Sequence, residues 1–274
     1  MEPNKQQLKQ LQGVCLELMQ EIDRICRKND IQYSLGGGTL IGAVREHGFI
    51  PWDDDADIAM TRPEYDRFVE ACKRDLNKER FFLQDHNSDP EYPWGYSKLR
   101  MNGTSIIQIG QEHLNFHKGI YIDIFIYDHV PDGFFSRRIH FVKCWLIRKC
   151  QYSVVGCKHG KTPFLRFIYS IMNKVPKKWL FKKLEQMAAR NNAKQTELSR
   201  HMTFPYFKKA CKYGLPTKSF EEYMDTVFEG VPLRIIRDYD TVLTLKYGDY
   251  MTPPPAKDIT FVPISGIQFR EENE

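Results

Sequence analysis

No stretch of this 274-residue chain approaches the roughly 20 consecutive apolar residues that a membrane-spanning helix requires. Its seven cysteines are irregularly spaced and include no Cys-x-x-Cys pair, which disfavours both a disulfide framework and an ordinary zinc site. Cys144, Cys150, Cys157 and His159 are near enough in sequence to be weighed as a zinc set, but their spacing matches no familiar ligand pattern. A phosphate-binding loop of the Walker type is missing too: Gly37 and Gly42 have the glycine spacing, yet Ala43 and Val44 stand where lysine and a hydroxyl residue belong. Internal repeats and low-complexity linkers are absent. Residues 1–7 are too polar for a signal peptide, so the expected compartment is the cytoplasm, with reduced thiols. One further lack is local: residues 134–184 contain thirteen Lys/Arg and no Asp or Glu.

What the chain does have is concentrated between residues 36 and 58. The run Gly36-Gly37-Gly38-Thr39-Leu40-Ile41-Gly42-Ala43-Val44-Arg45 is followed by Pro51-Trp52-Asp53-Asp54-Asp55-Ala56-Asp57-Ile58. In an extended chain, side chains at i and i+2 share a face, so Asp55 and Asp57 project together while Ala56 and Ile58 face the core. Such a pair suits Mg²⁺, which takes one or two carboxylates and completes its shell with water and substrate phosphates. Four aspartates within five positions repel one another unless a cation or basic neighbours offset them. A solvated acidic loop is the plain alternative. An EF-hand is another, since Asp53, Asp55, Asp57 and Glu64 fall at its positions one, three, five and twelve, but Ile58 occupies the glycine position and Pro63 follows. The glycines allow backbone N–H groups to approach a phosphate, with Thr39 expected as the N-cap of a short helix.

A third acid lies in Gly119-Ile120-Tyr121-Ile122-Asp123-Ile124-Phe125-Ile126-Tyr127, whose alternation predicts a strand with the isoleucines on one face. Asp123 is then a lone carboxylate in an apolar strand. Such a group needs a partner: the metal of Asp55 and Asp57, a proton to abstract, or an arginine.

These blocks closely resemble the LicD family of phosphorylcholine transferases, which includes the fukutin-type phosphotransferases. Lys98-Leu99-Arg100 with Thr104, and Tyr247-Gly248-Asp249-Tyr250-Met251, extend the resemblance over nearly the whole chain, most weakly between residues 134 and 215. It implies an α/β (α+β) fold with a nucleotidyltransferase-like mixed-sheet core and a basic helical insert. It also implies transfer of a phospho-alcohol from a CDP-alcohol, CDP-choline above all, to a hydroxyl of a cell-surface glycan or its lipid-linked precursor, with Mg²⁺ or Mn²⁺ and release of CMP. Asp55 and Asp57 match the family's metal-binding pair, and Asp123 its third catalytic acid. Where many members have proline after the Ile-Asp-Ile-Phe block, this chain has Ile126.

On this reading Gly37, Gly38, Thr39, Arg45, Trp52, Asp53, Lys98 and Arg100 contact the donor, with Lys98 and Arg100 on the diphosphate. Trp52, Trp94 and Tyr96 are candidates by position for an aromatic cage around choline. The alternatives are a nucleotidyltransferase that releases pyrophosphate and a non-catalytic binding module on the same fold.

Along the chain, Leu8, Leu11, Cys15, Leu18, Ile22 and Ile25 predict an amphipathic first helix ending near Asn29-Asp30. Residues 31–60 read as strand, glycine turn, short helix and strand, and residues 63–77 as a second helix. The expected organisation is a catalytic core over 1–132, a basic, aromatic-rich helical insert over 133–215, and a C-terminal segment over 216–274 that packs back on the core. The acid-free stretch suits a phosphate-bearing glycan or the anionic inner face of a membrane better than nucleic acid, for which no reading motif accompanies the charge.

Overall fold

The computed structural model describes residues 3–204, 208–255, 259, 261 and 263–270. The first amphipathic repeat forms α1 (Lys5–Lys28), with Asn4 and Gln7 exchanging side-chain and backbone hydrogen bonds at its start and Asn29 at its end. Its stripe of Leu11, Cys15, Leu18, Ile22 and Ile25 is buried in the main core. Then follow β1 (Ser34–Leu35), α2 (Gly37–Arg45), β2 (Asp57–Thr61) and α3 (Arg62–Asp75), in the order the sequence predicts, with Pro63 in the first turn of α3. Next are β3 (Phe81–Gln84), β4 (Ser97–Met101), β5 (Ser105–Gln108) and the long β6 (Tyr121–Val130).

Among the described residues the main sheet has the order β1-β2-β6-β4-β3. Strand β2 runs parallel to β6 along one edge, and β4 is antiparallel to the first half of the other. Beyond the helices described below, β7 (Leu198–His201) takes the second half of that edge and is itself paired with β8 (Leu215–Pro216). The sheet is therefore mixed, as the α/β reading expects. Ile58 and Met60 share a face with Ile122, Ile124 and Ile126, all buried in the main core, and α1 and α3 pack against β6. The opposite face of these strands is left for polar chemistry.

Three helices follow β6: α4 (Phe134–His159), α5 (Pro163–Met172) and α6 (Lys177–Asn192). Cys144 and Ile147 of α4 meet Phe181, Leu184 and Ala188 of α6 in a small core of their own. Asp128 of β6 ties this unit to the sheet: it accepts two 2.9 Å bonds from Arg62 of α3, and Asn192 of α6 donates a third, of 2.6 Å. The chain rejoins the sheet at β7, inside the stretch read above as insert. The hairpin β9 (Tyr223–Phe228) and β10 (Val231–Ile236), then α7 (Tyr239–Tyr247) and β11 (Ile264–Gln268), which pairs with β5, complete the described chain. No described helix is long and apolar enough to cross a membrane.

Candidate active site

Strand register assembles the site. Asp57 of β2 pairs with Asp123 of β6, and Asp123 with Lys98 of β4. The three side chains thus form a row on one face, with neighbouring strands about 4.8 Å apart. Lys98 is buried, donates its ammonium to Asp123 Oδ1, and lies over the Tyr121 ring. Burial lowers the Lys98 pKa to about 8, against the opposing pull of Asp123. The partner that Asp123 needs is therefore present, and it is a lysine rather than an arginine.

The glycine turn is pinned to this row. Gly36 N–H donates to Asp57 C=O at 2.8 Å, and Asp57 N–H donates to Thr39 Oγ1 at 2.9 Å. Thr39 is thus not the N-cap expected from the sequence. Gly36 holds that place without a side-chain bond, and Thr39, inside the first turn of α2, spends its hydroxyl on β2. Gly37 has φ +52°, and a methyl group there would lie 2.0 Å from Asp57 Oδ2. At Gly38 it would lie 2.8 Å from Asp53 Oδ2. Only glycine lets the N-terminus of α2, with its free N–H groups, come this close to the carboxylates.

The aspartate loop is held by α1, whose Gln12 Nε2 donates to Asp53 C=O at 3.0 Å, and by a tight turn from Asp53 N–H to Ile50 C=O at 2.9 Å. Asp53, Asp54 and Asp55 each bring a carboxylate oxygen within 4.8 Å of the others. Asp53 Oδ2 is buried without a hydrogen-bond partner. Burial first, then Asp55 and Asp54, raises the Asp53 pKa to about 8. Burial, then Asp123 and Asp54, raises that of Asp55 to about 7, with Lys98 opposing. Asp57 is pushed well above the carboxylate range by burial and then by Asp55 and Asp123. Converging acid oxygens, an orphaned buried one among them, at a helix N-terminus fit a hard divalent cation with oxygen ligands. The EF-hand alternative fails because Asp57 opens a strand and Glu64, in α3, accepts from Gln32 N–H at 2.8 Å.

The remaining candidates are engaged elsewhere. Arg45 pairs with Glu46 at 2.7 Å and donates to Tyr250 C=O at 2.8 Å, tying α2 to the C-terminal segment. Arg100 is buried and donates to Gln84 at 2.5 Å and Gly119 C=O at 2.6 Å. Trp52 packs, half-buried, on the main core.

Sequence reasoning missed Lys246, near the end of α7, whose charge acts on Asp57 and whose own pKa is lowered by burial. Of an aromatic cluster beside Asp123 it named Tyr96 for the cage but neither His201 nor Phe204. Tyr96 and Phe125 have ring centroids 5.3 Å apart, Phe125 lies 5.0 Å from both His201 and Phe204, and the field of Asp123 reaches Tyr96. His201 stays neutral: burial lowers its pKa to about 3, and Nδ1–H donates to Ile126 C=O at 3.2 Å. Phe125 was legible, since it follows Asp123 by two residues on the same face. His201 and Lys246 arrive through tertiary folding and left no local signal.

Comparison with known proteins agrees with this geometry. Residues 30–158, which contain the glycine turn, the aspartates and Lys98, match the family described as LicD/FKTN/FKRP, nucleotidyltransferase domain. The chain is 30% identical over 259 residues to the lipopolysaccharide cholinephosphotransferase LicD of Haemophilus influenzae, covering 92% of this chain and 94% of that protein. It is 28% identical over 119 residues to an uncharacterized protein of Rickettsia prowazekii, covering 43% of this chain and 41% of that one. A match as complete as the first, over a range that includes the residues that build the site, means that this chain belongs to the LicD family.

Proposed function

We propose that the protein transfers phosphocholine from CDP-choline to a hydroxyl of a lipopolysaccharide-type glycan or its lipid-linked precursor, releasing CMP. The observation that carries this reading is the near full-length similarity to a cholinephosphotransferase in a chain whose Asp57–Asp123–Lys98 row faces a glycine-lined helix N-terminus.

In this mechanism the N–H groups of Gly37 and Gly38 receive the donor diphosphate, which the start of a helix favours. Asp55, Asp57 and Asp123 would hold Mg²⁺ or Mn²⁺, which supplies charge neutralisation on the diphosphate and the leaving CMP. Lys98 orients Asp123, which takes the proton of the acceptor hydroxyl. The acceptor oxygen bonds to the phosphorus that carries the alcohol, and the bond from that phosphorus to the bridging oxygen breaks, leaving CMP. Tyr96, Phe125, His201 and Phe204 present aromatic faces to the trimethylammonium group. A neutral His201 adds a ring without a repelling charge.

The test is to incubate the protein with Mg²⁺ and a lipopolysaccharide acceptor, with a panel of CDP-alcohols and in parallel with nucleoside triphosphates, and to identify the products. CMP appearing with CDP-choline supports the reading; pyrophosphate formed from a nucleoside triphosphate instead identifies a nucleotidyltransferase. Phe125→Leu is expected to raise KM for CDP-choline about tenfold, in line with a cation–π contact of about 1–2 kcal/mol, while changing KM for CDP-glycerol little. Equal changes for both donors would remove the cage from the proposal.

Metal binding has its own readout. Without a cation, Asp53, Asp55 and Asp57 hold protons in the folded state that they release in the unfolded one, so stability falls as pH rises from about 4 through about 8. Ionised carboxylates are also what a cation binds. Added Mg²⁺ is therefore expected to raise the melting temperature more at about pH 7.5 than at about pH 5, each kcal/mol adding about 2–4 °C. An equal increment at both values, or none, would count against a metal on these aspartates.

A further inference from the structure

Helix α4 is amphipathic in the inverted sense. Phe135, Ile139, Val142 and Leu146 recur at steps of four, three and four residues and are 77%, 55%, 52% and 45% exposed. His140, Cys144, Ile147 and Gln151 repeat the same steps five positions on, about 140° around the helix, and all four are buried. Thus polar His140 and Gln151 face the protein while the apolar stripe faces outward. On α5, which packs against α4, Phe164 and Phe167 are also 70% and 64% exposed. An exposed apolar stripe of this length on a globular protein marks a contact surface.

Charge identifies what it contacts. The segment 134–184 that carries the stripe has thirteen Lys/Arg and no Asp or Glu. Arg138 lies over the ring of Phe134 at 4.2 Å, and Lys149 lies 5.8 Å from the Trp145 ring, so cations flank the apolar residues. A second copy docked face to face would bring two acid-free segments together at a repulsive cost. A glycan offers phosphates but nothing to bury Phe135, Val142 and Leu146. An anionic lipid leaflet offers both, with headgroup charge for the cations and the acyl boundary for the apolar stripe.

We propose that the exposed face of α4 and α5 docks the protein on the headgroup region of an anionic bilayer. This goes beyond the phosphotransfer reading and does not depend on it. The docked protein lies in the interface plane rather than spanning the bilayer, as no described helix is suited to crossing. If the acceptor is lipid-linked, docking also confines the enzyme to the surface where that acceptor lies.

The experiment is vesicle co-sedimentation of the full chain with phosphatidylcholine vesicles and with vesicles in which about a third of the lipid is phosphatidylglycerol, at low and high salt. Wild type is expected to partition at least about tenfold more strongly onto the anionic vesicles, and to lose most of that at about 0.5 M salt as the Debye length shrinks. Phe135→Ser/Val142→Ser/Leu146→Ser and Arg138→Glu/Lys143→Glu are each expected to lower the partition about tenfold with an unchanged melting temperature, since all five side chains are exposed. Quenching of Trp145 by brominated lipid, lost in Trp145→Phe, reports that α4 itself meets the acyl boundary. The proposal is overturned if wild type prefers neutral vesicles or neither, or if the serine variant partitions like wild type. It is equally overturned if sedimentation equilibrium shows self-association that the serine variant loses, which makes the stripe an interface between copies.

Discussion

Asp57→Asn is expected to reduce phosphocholine transfer by on the order of a thousandfold or more while raising the melting temperature of the cation-free protein. The two effects have one cause. Asp57 is a carboxylate held in a half-buried cluster with Asp55 and Asp123, where burial and like charge oppose its ionisation. Replacing it with a neutral amide of nearly the same shape relieves that repulsion and, on the proposed mechanism, removes a metal ligand in the same step. A side chain that only stabilised the fold would show loss of both. Initial rates of CMP release and a thermal melt without divalent ions measure the pair of effects. Retention of more than about a tenth of wild-type activity would end the assignment, since loss of a metal-holding carboxylate costs several kcal/mol of transition-state stabilisation.

Lys98→Met is expected to destabilise the protein by about 3 kcal/mol or more, because it leaves the buried Asp123 without its ion-pair partner beside Asp55 and Asp57. At about 2–4 °C per kcal/mol for a chain of this size class, the melting temperature falls by about 10 °C. The double variant Lys98→Met/Asp123→Asn removes charge and partner together and is expected to recover much of the loss. A double-mutant cycle in denaturant at about pH 7.5 measures the coupling between the two side chains. Near-additive effects would mean that the buried contact between Lys98 and Asp123 does not hold in solution.

Much of the site could be read from local pattern. The three-and-four-residue spacing from Leu8 to Ile25 predicted α1, the isoleucine alternation predicted the Asp123 strand, and the glycine run ahead of the aspartates predicted a turn against acids. Each depends on periodicities of 3.6 or 2 residues, which short segments carry by themselves. Thr39 was misread because a hydroxyl at the start of a helix has a local bond available, while the tertiary bond its Oγ1 accepts from Asp57 N–H leaves no mark in sequence. Arg100 carries the charge that a diphosphate would attract, but Gln84 takes its Nε–H and Gly119 C=O an Nη1–H.

Local sequence placed the glycine run ahead of the aspartates, set Asp123 in an alternating strand with the isoleucines on its other face, and gave residues 134–184 thirteen cations without an acid. These follow from side-chain periodicity and composition, which do not depend on distant contacts. Tertiary structure alone decided that Lys98 sits opposite Asp123, because the register of β4 on β6 joins residues 25 apart. It brought Lys246 and His201 to the carboxylate face from elements far along the chain. It also decided that the apolar stripe of α4 faces outward: periodicity identifies a stripe, but which side of a helix is buried depends on the surface offered by its neighbours, here Phe181, Leu184 and Ala188 of α6.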